Sequence, residues 1–251
     1  MNLTIPYSSQ KIVRILFSII LFLTFADILG QISKYFWSHE RLLGFVKLFD
    51  LNLEGNIPSW YSSCALLLCA YLLANIAYLK KGFSYVSHWK SLSFILIYLS
   101  IDEFAELHER LNYIMRLLLH SSKALNVLWV IPASIFVITV LFTYLKFIGH
   151  LPNKIKLLFI TAGAMYVGGA VGLELLENYL LGNSGIQTFL YQMVVTAEEF
   201  FEMFGIVIFI YALLSYIESI SLDSLPSGNT QENTSSEASV EVPADQVAIR
   251  D

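Results

Sequence analysis

"SFILIYLSIDEFAELHERL", residues 93–111, runs an apolar segment straight into Asp102, Glu103, Glu106, His108, Glu109 and Arg110. Its first half reads as the interior of a membrane-crossing helix. Its second half sets four carboxylates and an imidazole where the chain should still be in lipid. Working outward, the rest of the chain agrees with the first half. Hydrophobic residues make up 56% of it, charged residues only 14%, and the mean hydropathy is +0.64. An ordinary soluble domain carries about 25% charge. Several segments approach or exceed the roughly 20 apolar residues that cross a bilayer core of about 30 Å. The expectation is an all-α, polytopic membrane helix bundle with about six transmembrane helices. They are placed at 12–33, 60–79, 91–112, 126–147, 157–181 and 189–217.

Charge sets the ends and the orientation. Residues 1–220 hold fourteen acids and fourteen bases, whereas six acids and Arg250 lie beyond them, so the net charge of −5 belongs to the tail. That tail, 221–251, is rich in Ser, Thr, Asn and Glu and reads as a disordered acidic segment beside the 1–220 membrane domain. With the N-terminus inside, Lys11, Arg14, Lys80, Lys81, Lys90, Lys146, Lys154 and Lys156 face the cytoplasm. Lys34, Arg41, Lys47, Arg110, Arg116 and Lys123 face out. The expected location is therefore the cell membrane, multi-pass, with a cytoplasmic N-terminus. Lys11 and Arg14 precede an apolar run of full span length with no small-residue cleavage site, which reads as an uncleaved first helix.

Several chemistries are absent. No basic surface suggests nucleic acid, and there is no G-x-S-x-G, P-loop or G-x-G-x-x-G after a strand. Cys64 and Cys69 share one apolar segment and suit packing. Phe36, Trp37, Trp60 and Tyr61 read as interfacial aromatics, and Pro58 as a helix opener. Ala164, Gly168 and Gly172, four residues apart, read as a small-residue stripe for close helix approach.

The carboxylates form a pattern. Nine of the fourteen acids in the body fall in three spans: Asp102, Glu103, Glu106 and Glu109; Glu174 and Glu177; Glu198, Glu199 and Glu202. Each group contains E-x-x-E, and a three-residue step leaves two side chains about 60° apart on a helix. Asp102, Glu106 and Glu109 then share a face, with His108 about 100° round from Glu109. At 1.5 Å per residue, Glu106 lies roughly 24 Å from Lys90, Glu174 roughly 27 Å from Lys156 and Glu199 roughly 26 Å from Tyr216. Asp27 lies roughly 20 Å from Arg14. The groups share one depth near the outer boundary. Nine acids against Arg110 need protons, water or a cation, and oxygen-rich sets suit a divalent metal ion. Taken alone, each group also reads as a wet helix end. On that account Ser100 and Glu103 form a capping box, and an amphipathic surface helix starts at Ser100.

"LSIDEFAELHERL", "EGNIPSWYSS" and "EEFFEMFG" resemble signature stretches of an uncharacterised family of bacterial polytopic integral membrane proteins, with no established activity. The resemblance implies importance for Glu54, Pro58, Trp60, Ser62, Asp102, Glu103, His108, Glu109, Glu199, Glu202 and Gly205. A looser similarity to ferritin-like di-iron bundles stops at E-x-x-E, since those use E-x-x-H pairs. The leading expectation is a divalent-metal site with Glu106, Glu109, Glu174, Glu177, Glu199 and Glu202 as ligands. Asp102 and His108 would serve as acid–base residues, with membrane lipid or another apolar molecule as substrate. The alternatives are a cation- or proton-coupled transporter and an assembly subunit of a membrane complex.

Overall fold

The computed structural model describes residues 8–37, 44–119, 128–184 and 186–223. Among them all regular structure is helical. The order is α1 (Ser9–Phe36), α2 (Phe45–Phe49), α3 (Ile57–Leu79), α4 (Val86–Ala105), α5 (Leu107–Leu119), α6 (Val130–His150), α7 (Asn153–Val167), a π-helical turn (Gly168–Leu173), α8 (Glu174–Ser184) and α9 (Phe189–Asp223). Among the described residues five stretches are long and apolar enough to cross a membrane: α1, α3, α6, the α7–α8 run and α9, with mean hydropathy from 1.5 to 2.4. Their outward faces are apolar, with Phe22, Phe25, Phe142 and Leu157 all mostly exposed. Lipid solvates such a surface and water does not. This is an all-α membrane protein.

α9 is the axis of the bundle: α1, α3 and α7 pack on it, and α4 lies along α3. Leu73, Ile76, Ile210 and Leu213 fill one core, and Ile20, Leu23, Met203 and Val207 fill a second between α1 and α9. Lipid tails are as apolar as leucine, so close packing rather than water exclusion holds such helices together. One close approach is at Gly205, where a Cβ would stand 2.9 Å from both Ala162 O and Tyr166 N. The expected Ala164–Gly168–Gly172 stripe is not the contact. Gly168 and Gly172 have open space where a Cβ would go. Residue 164 is about 200° round α7 from Ala162, on the side away from α9.

α3 opens on a capping box: Asn56 Oδ1 accepts from Ser59 N at 3.3 Å, and Ser59 Oγ accepts from Asn56 N at 3.1 Å. Pro58 sits in its first turn.

The third expected span, 91–112, is two helices. α4 ends at Ala105, and Glu106 takes a left-handed conformation (φ 54°, ψ 42°). That conformation costs an L-residue about 1–2 kcal/mol. It is held by Asp102, whose Oδ1 accepts from His108 N at 2.8 Å and so caps α5 from the preceding helix. The amphipathic-helix alternative thus gains its helix, but from Leu107. Ser100 is buried inside α4 and donates to Ser63 O at 2.9 Å, so it caps nothing. α4, 20 residues long, is the sixth long helix; Lys90, Asp102 and Glu103 near its ends distinguish it from the other five. α9 continues to Asp223, past the expected end at 217 and into the expected tail. Residues 224–251 of that tail, and Arg41 and Lys123 of the charge count, lie outside the described residues.

Candidate functional site

The acids gather where α4 ends and α9 begins. The π-helical turn fits an extra residue into the α7–α8 helix and so re-aims the helix beyond it. Glu174 and Glu177 come next, in the first turn of α8. α9 can reach them because Gly169 has no side chain: a Cβ there would stand 2.9 Å from Glu198 O and 3.0 Å from Glu202 Cγ. As a result Glu174, Glu177 and Glu198 each offer one carboxylate oxygen, all within 4.8 Å of one another. Glu177 and Glu198 are buried and hydrogen-bonding neighbours. Oε1 of Glu177 is buried without a hydrogen-bond partner. Glu174 is positioned by Asn178 Nδ2, which donates to its Oε1 at 3.1 Å, and by the Trp129 side chain.

A second group lies alongside. Glu103 accepts from the buried Ser62 hydroxyl and stands within electrostatic reach of Glu199 and Glu202. Tyr166, whose backbone meets Gly205, faces the same carboxylates.

His108 joins the groups. Its Nδ1 is 3.4 Å from Asp102 Oδ2, its Nε2 is 3.6 Å from Glu54 Oε1, and its ring packs against Trp129 at 5.1 Å. The imidazole lies beyond the end of α4, and its pKa is pushed up to about 9. Burial alone would lower it, but the hydrogen bond and charge of Asp102, then Glu54 and Glu174, outweigh that. Burial also raises Glu54 to about 8, opposed by His108 and reinforced by Glu103, Glu106 and Glu109. Asp102 is the nearer of the two carboxyl groups that flank the imidazole.

The expected residues are thus distributed unevenly. Glu174 and Glu177 converge, with Glu198 as the third member in place of any ligand from the 106–109 pair. Glu199 and Glu202 sit in the neighbouring group with Glu103. Glu106 occupies the left-handed hinge and Glu109 is exposed, so the face expected for Asp102, Glu106 and Glu109 does not form. That face requires one unbroken helix. Asp102 and His108 do meet, because the break turns His108 back towards α4. Asp27 belongs to neither group. It accepts from Gln31 Nε2 (3.1 Å), Leu51 N (3.2 Å) and Thr196 Oγ1 (2.6 Å) and ties α1 to α9. Glu198 was legible as an i, i+4 partner of Glu202; the E-x-x-E spacing drew attention to Glu199 instead. Trp129 and Asn178 carry no sequence signal of their own.

Residues 14–217 match the model of a domain of unknown function (DUF8692). No curated protein and no solved structure matches the chain.

Proposed function

We propose that this chain, which belongs to the DUF8692 family, is a membrane protein that binds a divalent metal ion through Glu174, Glu177 and Glu198 and acts with it on an apolar substrate. One observation carries the reading. Two buried carboxyls touch, a third stands within 4.8 Å, and Glu177 Oε1 lacks any partner. Carboxylates so placed need a proton or a cation between them, and hard cations take oxygen ligands of this kind. A bound cation of that class polarises a substrate oxygen or a water molecule. The chain's own contribution is positional. Asn178 and Trp129 hold Glu174, and Asp102 orients His108, which stands within electrostatic reach of Glu174 and Glu198 as an acid–base group. Glu199 and Glu202, with Glu103, supply further acid beside the ligands. The cell membrane of a bacterium, with the N-terminus inside, is the setting this reading assumes.

Elemental analysis of protein purified in detergent without chelators tests it. Wild type is expected to carry stoichiometric divalent metal, and Glu177→Gln/Glu198→Gln to lose it. His108→Gln should retain the metal and lose turnover. Metal-free wild type would falsify the reading. A second reading, cation- or proton-coupled transport, draws on the π-helical interruption of a spanning helix beside the acids. A proteoliposome flux unchanged by Glu199→Gln and Glu106→Gln counts against it.

A further inference from the structure

Apart from Glu199, which borders it, the polar side chains buried between α1 and α9 take no part in the site described above. Three contacts fix the register of these antiparallel helices. The Tyr35 hydroxyl donates to Gln187 O at 2.9 Å, the Thr196 hydroxyl donates to Asp27 at 2.6 Å, and the Phe17 and Phe204 rings meet at 5.4 Å. Each turn forward along α1 is matched by a turn back along α9. The polar residues therefore stack as rungs: Tyr35 by Gln187, Gln31 by Gln192, Asp27 by Thr196, and Thr24 by Glu199. The next rung is Ile20 by Met203, both fully buried, with Leu23 and Val207 around them.

Gln31 and Gln192 are 1% exposed, Asp27 2% and Thr196 5%. Inside a lipid-embedded bundle each polar atom needs a partner. Asp27 is fully engaged, and Gln31 Nε2 donates to Asp27 and to Asp50 at 3.1 Å each. Thr24 Oγ1, Gln31 Oε1 and both amide atoms of Gln192, which faces the Tyr35 hydroxyl, complete no hydrogen bond of ordinary geometry. Thr24 and Gln31 are two turns apart, roughly 10 Å along the helix, so one ion cannot serve both. The set also mixes acceptors with a donor, Gln192 Nε2, which no cation satisfies. Water is the ligand that donates and accepts, is small enough, and can repeat from rung to rung.

We propose that the rungs from Tyr35–Gln187 to Thr24–Glu199 hold a file of water molecules. It enters from the side of the membrane where α1 ends and α9 begins, and the Ile20–Met203 rung closes it on the other side. The tract stands on α1 and α9 alone. Its role as the supply of a reacting water, which would make the chemistry a hydrolysis, rests on the metal reading above.

Single cysteines at Thr24, Thr196 and Met203, in a Cys64→Ala/Cys69→Ala background reconstituted into sealed vesicles, test the tract. Ag⁺, close to water in size, is added to one side at a time in chloride-free buffer. Unreacted thiols are then alkylated after denaturation and counted by mass spectrometry. A thiol reacts as its thiolate, which forms where water reaches it, so Thr24→Cys and Thr196→Cys should react about tenfold faster than Met203→Cys or more. They should do so only from the side where α1 ends. Adding Gln192→Leu to Thr24→Cys should slow it towards the Met203→Cys rate. Thr24→Cys leaves the Asp27–Thr196 bond intact and carries the test if Thr196→Cys does not fold. Equal rates at all three positions, or equal rates from both sides, overturn the proposal. Metal content of the same variants separates the two readings: fast labelling of metal-free protein removes the centre alone, and slow labelling of metal-loaded protein removes the tract alone.

Discussion

His108 shows how one side chain depends on a backbone choice two residues away. A helical wheel drawn through residues 91–112 places it off the acidic face, and that inference holds only while the helix is continuous. Glu106 breaks it, and the imidazole swings back to Asp102 and Glu54. The folded protein binds the His108 proton more tightly than the unfolded chain does, with a pKa of about 9 against 6.5. Its contribution to stability is therefore complete below pH 6.5 and is lost as pH rises through about 9. Glu54, raised from 4.5 to about 8, acts in the same direction over its own lower window. Thermal unfolding in chelator should show wild type above His108→Gln at pH 6, with the gap closing by pH 9.5. A gap that widens with pH would contradict the assignment. The convergence of Glu174 and Glu177 could be read from spacing and depth. The choice of Glu198 over Glu199 could not, because it turns on which face of α9 meets α8.

At the scale of elements, long apolar helices were legible because membrane-crossing length and hydropathy leave little freedom. Interruptions were not. The break at Glu106 lies within a run whose composition suits a helix, and the π-helical turn at Gly168–Leu173 lies in a glycine-rich stretch that reads as a packing stripe rather than as an interruption. What holds the first is a local hydrogen bond six residues long, donated by His108 N to the Asp102 carboxylate, which no helical pattern announces. The glycine contacts are hidden for a related reason. A four-residue stripe is visible in the sequence, but α9 approaches instead at Gly169 and Gly205. Gly205→Ala places a methyl against fixed backbone of α7, and overpacking of that kind costs typically about 1–3 kcal/mol. It should lower the unfolding temperature, whereas Gly168→Ala, facing open space, should leave it nearly unchanged. Equal effects of the two changes would show that α7 and α9 do not meet at Gly205.

At the scale of the whole molecule, the carboxylates of the site are gathered at one end, and an apolar cluster closes the seam between α1 and α9 partway along it. The Ile20–Leu23–Met203–Val207 cluster has a consequence in electrical terms. A membrane potential drops mainly across the poorly conducting part of its path, and here that part is the apolar cluster. A divalent ion reaching Glu174, Glu177 and Glu198 from the wet end would cross little of the field. An ion driven through that cluster from the opposite side would gain or lose about 4.6 kcal/mol per 100 mV, at roughly 2.3 kcal/mol per charge. Metal affinity in vesicles should therefore stay constant when a potential is imposed with potassium and valinomycin. A clear shift would place the resistance, and the entrance, at the opposite end of the bundle.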